Sequence, residues 1–502
     1  MTTEPAGSAG AALAGIFKAY DVRGTVPDQL NPRIAWAIGA AFARFAKKEH
    51  GAARIVIGRD MRESGVDLAL GLAAGALSEG VGVVDAGLVS TDLLYFASGS
   101  LDMPGAMLTA SHNPARYNGI KFCLAGASPV GQDSGLAEIR RVAEEVLESA
   151  PADAGVEEAA ADPRLERADL IEAFAAHVRS FIDPAALRHL KVVADTANGM
   201  GGLVAPRVFE GLPFDVEILF AELDGNFPNH PADPIQPENL VSLRGRILET
   251  GADVGLAFDG DADRVFLVDE NAEPLSGSLT TTIVAAAMLE KHPGATILYN
   301  LICSKAVAEI VAERGGVPVR TRVGHSFIKA LMAETGAVFG GEHSGHYYFR
   351  ENYRADSGII AALVVLEVMS KAGSSLSELR KPFERYADSG EVNTEVHDAA
   401  AVLAGIEEHY AATGADLDHL DGLTVDNGSW WFNLRPSNTE PLLRLNLEAP
   451  EVEQCAEHLE EVIGLVRALD EACSTGDASG DATGDAAAAR AGRSSTDATT
   501  GS

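Results

Sequence analysis

A short apolar run closed by glycine and charge, a capped helix, and another short apolar run: this rhythm constrains the fold of the chain more than any other feature. Residues 54–57 (Arg-Ile-Val-Ile) read as a buried strand ending in Gly58-Arg59-Asp60. Ser64 then stands where a helix cap belongs, Gly80 where the helix should close, and residues 81–85 give the next strand. Upstream, Asn31-Pro32 has the form of an N-cap with proline at the first helical position. Ile34, Ala37, Ile38, Ala41, Phe42 and Phe45 follow at helical spacing. Strand, helix, strand in this order predicts a parallel sheet built from βαβ units. In such sheets ligands sit beyond the carboxyl ends of the strands.

The chain has 502 residues, enough for roughly three or four domains. Hydrophobic content of 46% with 6% aromatics and 51 glycines fits an α/β protein rich in small aliphatics. No apolar run is long enough to span a bilayer, and residues 1–15 lack the basic start of a secretory signal, so no membrane partner is expected. Cys123, Cys303, Cys455 and Cys473 have no metal-ligand spacing and read as free thiols of a reducing cytoplasm. A formal charge of -34 argues against nucleic acid, whose phosphates attract basic surfaces. Any phosphate chemistry must therefore rest on basic residues gathered locally.

Two stretches carry that chemistry. Thr109-Ala110-Ser111-His112-Asn113-Pro114 places a hydroxyl beside an imidazole in a proline-ended turn after an apolar run, with Lys121 shortly after. Ser and Asn-Pro are also ordinary turn residues, so this stretch alone does not decide between chemistry and a turn. Asp259-Gly260-Asp261-Ala262-Asp263-Arg264 lies between apolar runs at 253–258 and 265–268. Three carboxylates this close repel by roughly 1 to 4 kcal/mol per pair at about 4 Å, a cost a divalent cation removes. Hard oxygen ligands select Mg²⁺ or Ca²⁺. A calcium EF-hand fails on context: its sixth position requires glycine but is Arg264, and strands flank the loop where helices should.

Weaker signals lie further along. Gly324-His325-Ser326 opens a helix and offers either free N–H groups for phosphate or an ordinary cap. Gly341-Glu342-His343-Ser344-Gly345-His346 sets a carboxylate beside a hydroxyl on a glycine-bounded turn, suited to reading vicinal diols. Arg435-Pro436-Ser437-Asn438-Thr439-Glu440-Pro441, with Arg444 after it, offers planar guanidiniums and turn donors for phosphate oxygens.

Together these four motifs resemble the α-D-phosphohexomutases, most closely the phosphomannomutase/phosphoglucomutase branch, in order over residues 16–470. The resemblance implies that Ser111 is a phosphoserine carrier and that Ser111, Asp259, Asp261 and Asp263 hold one Mg²⁺. It implies catalytic roles for His112, Lys121, Arg23, Arg264 and His346. His346, Lys121 and His112 are unranked candidates for the acid and base. It places Tyr20, His325, Glu342, Ser344, His346, Arg435, Ser437, Asn438, Thr439 and Arg444 on the substrate, a hexose phosphate, with hexose 1,6-bisphosphate as activator. The chain departs from most relatives at Lys18, where arginine is usual, and Ile302 stands where some carry a basic residue. A phosphohydrolase, a non-catalytic sugar-phosphate-binding protein and, within the family, a phosphoglucosamine mutase stay open on sequence alone.

The expected architecture is α/β: three consecutive mixed-sheet βαβ-type domains (1–162, 163–272, 273–388) around a central cleft. A smaller α+β domain (389–473) and a disordered tail (474–502) complete it. Expected details include helices over 239–249, 355–371 and 376–386, and a hinge at 387–390.

Overall fold

The computed structural model describes residues 13–436 and 442–477 and falls into two compact units that divide after Glu384. Residues 474–477 of the tail expected over 474–502 instead end the helix Val452–Asp477; the rest of that tail, 478–502, and Ser437, Asn438 and Thr439 lie outside the described residues.

The first unit carries three sheets with one plan. In the first, the parallel strands Gly105–Leu108, Arg54–Arg59, Gly82–Leu88 and Leu165–Arg167 lie side by side, and Tyr117–Leu124 returns antiparallel against Gly105–Leu108. Val22–Thr25 then pairs with Tyr117–Leu124, also antiparallel. In the second, Val254–Phe258, Leu190–Asp195 and Phe214–Leu219 are parallel and Val265–Asp269 returns antiparallel. In the third, Phe339–Gly341, Thr296–Asn300 and Val317–Thr321 are parallel and Tyr347–Phe349 returns antiparallel. The loop leading into each returning strand is one of the motifs read from the sequence: 109–116, 259–264 and 342–346.

Apolar periodicity explains the helices. Asn31 caps Pro32–His50 by accepting the Ile34 N–H at 3.0 Å. That helix meets Gly65–Ser78 so closely that a Cβ on Gly75 would stand 2.0 Å from the Trp36 carbonyl oxygen. Gly277–Lys291 and Gly358–Ala372 are buried nearly all round and join one core reaching from Val56 and Phe174 through Val192 to Phe339. The second unit has its own core, with Val402, Phe432, Leu445 and Val462. It is an antiparallel sheet in the order Ala387–Glu395, Leu442–Ala449, Trp431–Pro436, Leu423–Asp426, Asp416–Asp418, with helices Ala399–Thr413 and Val452–Asp477.

Four local expectations change. Ser64 precedes its helix but makes no capping hydrogen bond; its hydroxyl accepts from Asn118 instead, at 2.9 Å. The helix expected over 376–386 ends at Arg380, whose guanidinium turns back to Asp269 at 2.9 Å and to the Pro274 carbonyl at 3.2 Å. The helix expected over 239–249 starts as a 3₁₀ turn, Pro237–Leu240, and becomes α-helical only over Val241–Thr250. Residues 387–390, where the hinge was expected, form the start of the edge strand Ala387–Glu395, with a bulge between Asp388 and Glu391, and the division between the two units falls just before them, after Glu384.

Candidate active site

The serine loop begins where Gly105–Leu108 ends. Thr109 takes the Ser111 N–H on its hydroxyl at 2.9 Å, and Asn113 N–H returns to the Ala110 carbonyl at 3.0 Å. Ser111 itself sits at φ 50, a left-handed conformation that a non-glycine residue adopts only when its surroundings hold it there. Its side chain is nearly buried, and the hydroxyl donates to Asp259 Oδ2 at 2.7 Å. The two loops touch through backbone as well: a Cβ on Gly260 would lie 2.5 Å from the Ser111 carbonyl oxygen, so only glycine fits there.

Asp259, Asp261 and Asp263 are all buried, and their carboxylate oxygens cluster within 4.8 Å. Internal cations meet part of their charge. Lys121 Nζ lies 2.9 Å from Asp261 Oδ2 and 2.7 Å from Asp263 Oδ2, and Arg264 Nε lies 3.0 Å from Asp259 Oδ2. Thr91 adds a hydroxyl to Asp261 Oδ2 at 2.6 Å. Asp261 Oδ1 and Asp263 Oδ1 remain buried without a hydrogen-bond donor. Two such oxygens beside a third carboxylate are a donor set that fits a hard divalent cation.

The electrostatics diverge within the triad. Burial pushes the Asp259 carboxyl up to about 7, against the pull of Arg264. Burial acts on Asp261 too, but Lys121 and the Thr91 hydroxyl outweigh it and hold that carboxyl below its ordinary range. Lys121 is raised well above the usual lysine value, because the aspartates overcome its desolvation, so it is a fixed cation at neutral pH.

The two histidines differ in kind. His112 Nδ1 accepts from Arg264 Nη2 at 2.7 Å and lies 3.3 Å from Ser111 Oγ. Burial and the Arg264 charge push its imidazole well below 6.5, so it is neutral. His346 holds Asp356 Oδ2 through Nδ1 at 2.9 Å and lies 3.8 Å from Asp263 Oδ1. Burial lowers it, but Asp263 and Asp356 raise it above the ordinary value. Asp356 in turn pairs with the buried Lys329 at 3.0 Å, whose ammonium lies 3.6 Å from the centre of the Tyr95 ring. The backbones of Arg264 and His346 are bridged, which ties the aspartate loop to the 342–346 loop.

The remaining expected residues fall into two groups. Arg23 reaches the serine loop, donating to Asn113 Oδ1 at 2.7 Å. Tyr20 packs edge-on against His325 at 5.4 Å, and burial and the Lys329 charge push His325 down to about 3. Glu342 already accepts from Gly324 N–H at 3.1 Å, Asn300 at 3.3 Å and Tyr348 at 2.7 Å. Gly324, the N-cap of the helix His325–Thr335, thus gives its own N–H to Glu342. Ser344 is half-buried on the same turn. Lys18 is exposed and folds back on the Gly15 carbonyl at 2.7 Å. In the second unit Arg435 and Arg444 are opposite residues of neighbouring strands and share one carboxylate, Glu391, at 3.3 Å each.

Sequence reasoning missed Asp60, Arg62, Thr91, Lys329 and Asp356, all buried and all within these networks. One signal was available. Asp60 and Arg62 alternate directly past a buried strand, where solvent-facing charge is not expected. Thr91 and Lys329 carry no local signal, because Asp261 and Tyr95 are distant in sequence, and Asp356 stands in no motif.

Family models match along the chain in order: phosphoglucomutase/phosphomannomutase alpha/beta/alpha domain I over residues 14–149, domain II over 168–273, domain III over 276–386 and the C-terminal domain over 391–465. The chain is 41% identical over 434 residues to a protein named phosphohexose mutases from Xanthomonas campestris pv. campestris, covering 86% of this chain and 94% of the relative. It is 38% identical over 440 residues to a phosphomannomutase of Escherichia coli strain K12, with the same shares covered. Among solved structures, a phosphoglucomutase/phosphomannomutase family protein of Burkholderia thailandensis superposes with a TM-score of 0.79 at 30% identity. That match covers 90% of this chain and 97% of the other.

Proposed function

The chain belongs to the phosphoglucomutase/phosphomannomutase family of hexose phosphate mutases, and from that premise we propose that it interconverts hexose 1- and 6-phosphates through a phosphoserine at Ser111. Mannose phosphate, and glucose phosphate beside it, are the proposed substrates, with hexose 1,6-bisphosphate as intermediate and as the activator that primes Ser111. The observation that most supports this reading is the Ser111 hydroxyl held 2.7 Å from Asp259, inside a carboxylate triad with two unsatisfied oxygens. A phosphatase would need only a transferring site. A mutase needs a second place that grips without transferring, and Arg435 and Arg444 with Ser437, Asn438 and Thr439 are suited to that task.

Asp259, Asp261 and Asp263, with a phosphate oxygen on Ser111, would hold Mg²⁺, which when bound supplies charge neutralisation at the phosphoryl group. The residues do the rest. A sugar hydroxyl oxygen attacks phosphorus; the new O–P bond forms as the Oγ–P bond of Ser111 breaks, and the hydroxyl proton leaves to a base. We assign that base to His346, whose Nδ1 contact with Asp356 leaves Nε2 as the site that takes the proton. Lys121 and Arg264 face the charge that develops on the transferring oxygens, and His112 and Arg23 orient the serine loop. The bisphosphate turns over, its other phosphoryl group returns to Ser111, and the proton is given back. Tyr20, His325, Glu342, Ser344 and His346 contact the sugar.

This reading has the enzyme at work in the cytoplasm on small hexose phosphates, without nucleic acid or membrane; among the described residues no helix is long and apolar enough to cross a membrane. Domain limits of 1–162, 163–272, 273–388 and 389–473 go with it. The test is a substrate panel with Mg²⁺ and a trace of glucose 1,6-bisphosphate. Interconversion of mannose 1- and 6-phosphates at kcat/KM at least equal to that for glucosamine phosphates supports the reading. Release of inorganic phosphate without interconversion overturns it.

A further inference from the structure

Arg62 is 1% exposed, lies beside the phosphate chemistry, and yet spends every donor on protein. Its Nε pairs with Asp60 Oδ2 at 3.1 Å, and its own N–H goes to Asp60 Oδ1 at 2.9 Å. Nη1 donates to the carbonyls of Pro114 at 3.0 Å and Tyr117 at 2.9 Å. Nη2 donates to those of Ser111 at 2.8 Å and Asn113 at 2.6 Å. A guanidinium has five N–H groups in a fixed plane, and here four of them pin main-chain oxygens of one loop.

We propose that Arg62 is a positioning residue for phosphoryl transfer, clamping the serine loop so that Ser111 keeps its left-handed backbone and aims Oγ at the aspartate triad. The Ser111 carbonyl is held on one side by Arg62 and meets the Gly260 backbone on the other, so the peptide plane after the nucleophile has no freedom to tilt. A left-handed non-glycine residue persists only where its neighbours over-determine it, and buried loop carbonyls need donors in any case. One rigid fork answers both needs. A second contact presses on the fork from the next domain: Arg62 lies over the Phe227 ring at 5.3 Å, and a Cβ on Gly225 would come within 2.8 Å of Arg62 Cα. With all its N–H groups committed, Arg62 does not bind substrate phosphate, so its effect falls on the rate of transfer and not on substrate affinity.

The inference rests on Ser111 being the phosphoryl carrier, and the experiment separates the two. Wild type, Arg62→Lys and Gly225→Ala are compared for kcat, KM for hexose 1-phosphate, and the rate at which hexose 1,6-bisphosphate phosphorylates Ser111, read by intact-protein mass spectrometry. Lysine donates from a single point and cannot span four carbonyls. Misplacing a reacting group by about 1 Å costs roughly 10²-fold. Arg62→Lys should therefore lose about 10²-fold in kcat and in the phosphorylation rate with KM unchanged within about threefold. Gly225→Ala, which moves Arg62 without deleting it and tests the idea should the lysine variant not fold, should lose severalfold in kcat alone. A folded Arg62→Lys protein with wild-type kcat and only a lower Tm overturns the inference, as does full kcat in Gly225→Ala or a raised KM at constant kcat. If wild type itself never carries phosphate on Ser111, the carrier reading falls, and this inference with it.

Discussion

The proposed transferring site and the proposed gripping site both gather charge against an acidic chain, but they do so in different surroundings. At the transferring site, Asp259, Asp261 and Asp263 are at most 1% exposed, and their cations, Lys121 and Arg264, are packed against them. At the proposed gripping site, Arg435 and Arg444 face each other across neighbouring strands; Arg435 is 11% exposed, but Arg444 is 38% and their shared Glu391 32% exposed. Buried charge has strong, directional interactions and costs heavily when a partner is lost; half-exposed charge is screened and exchanges partners cheaply. A site that must hold a developing charge through bond breaking benefits from the first arrangement. A site that must take and release either end of a bisphosphate benefits from the second.

Four measurements bear on this difference. The largest effect should come from the buried side: Asp261→Asn, or chelation of the metal, should lower kcat by about 10² to 10³-fold, and Mg²⁺ should restore the chelated wild type only. An unchanged rate in EDTA would end the metal assignment. Next comes Asp92, beneath the same site, whose carboxyl burial pushes up to about 7 although hydroxyls of Ser90 and Ser357 lower it again. Its folded pKa lies above the unfolded value, so its contribution is full below pH about 4 and is lost as pH rises through about 7. Asp92→Asn should match wild type only below pH about 4 and exceed it by a margin that grows up to pH about 7, reaching up to about 4 kcal/mol at pH 8 and read as a widening gap in Tm. A gap that does not vary with pH contradicts this.

The exposed side should respond more weakly. Arg444→Lys removes the planar fork and should raise KM for hexose phosphate about tenfold with kcat within about threefold. A loss confined to kcat would move that residue to the chemistry. Glu391→Gln should be the mildest, changing stability by less than about 1 kcal/mol and KM by no more than a few fold. A large loss of stability would show that the grip is as tightly built as the transferring pocket.

The elements of this fold were legible where packing repeats a local period: 54–57 and 81–85 as strands, 32–45 as a helix behind Asn31. They were less legible where a distant partner decides. Ser64 looks like a cap in sequence but gives its oxygen to Asn118, and the helix after Leu376 stops where Arg380 is drawn to Asp269. The site follows the same division. Asp259, Asp261 and Asp263 announce themselves because three acids in five residues repel one another unless a cation stands among them. Lys329 and Asp356 carry no local pattern that sets them apart until the fold buries them with His346 and the distant Tyr95. The antiparallel return that presents each motif in the first unit was likewise invisible in a βαβ rhythm, since an apolar strand has the same pattern in either direction.

Single-turnover phosphate tracking tests Ser111 as the phosphoryl carrier. Protein charged with ³²P from hexose 1,6-bisphosphate is mapped by peptide, then mixed with unlabelled mannose 1-phosphate. Label on Ser111 alone, passing to the sugar as bisphosphate and then to mannose 6-phosphate, and absent in Ser111→Ala together with a loss of about 10⁴-fold or more in kcat, is the predicted result. Label on another residue, or label that leaves only as inorganic phosphate, contradicts it.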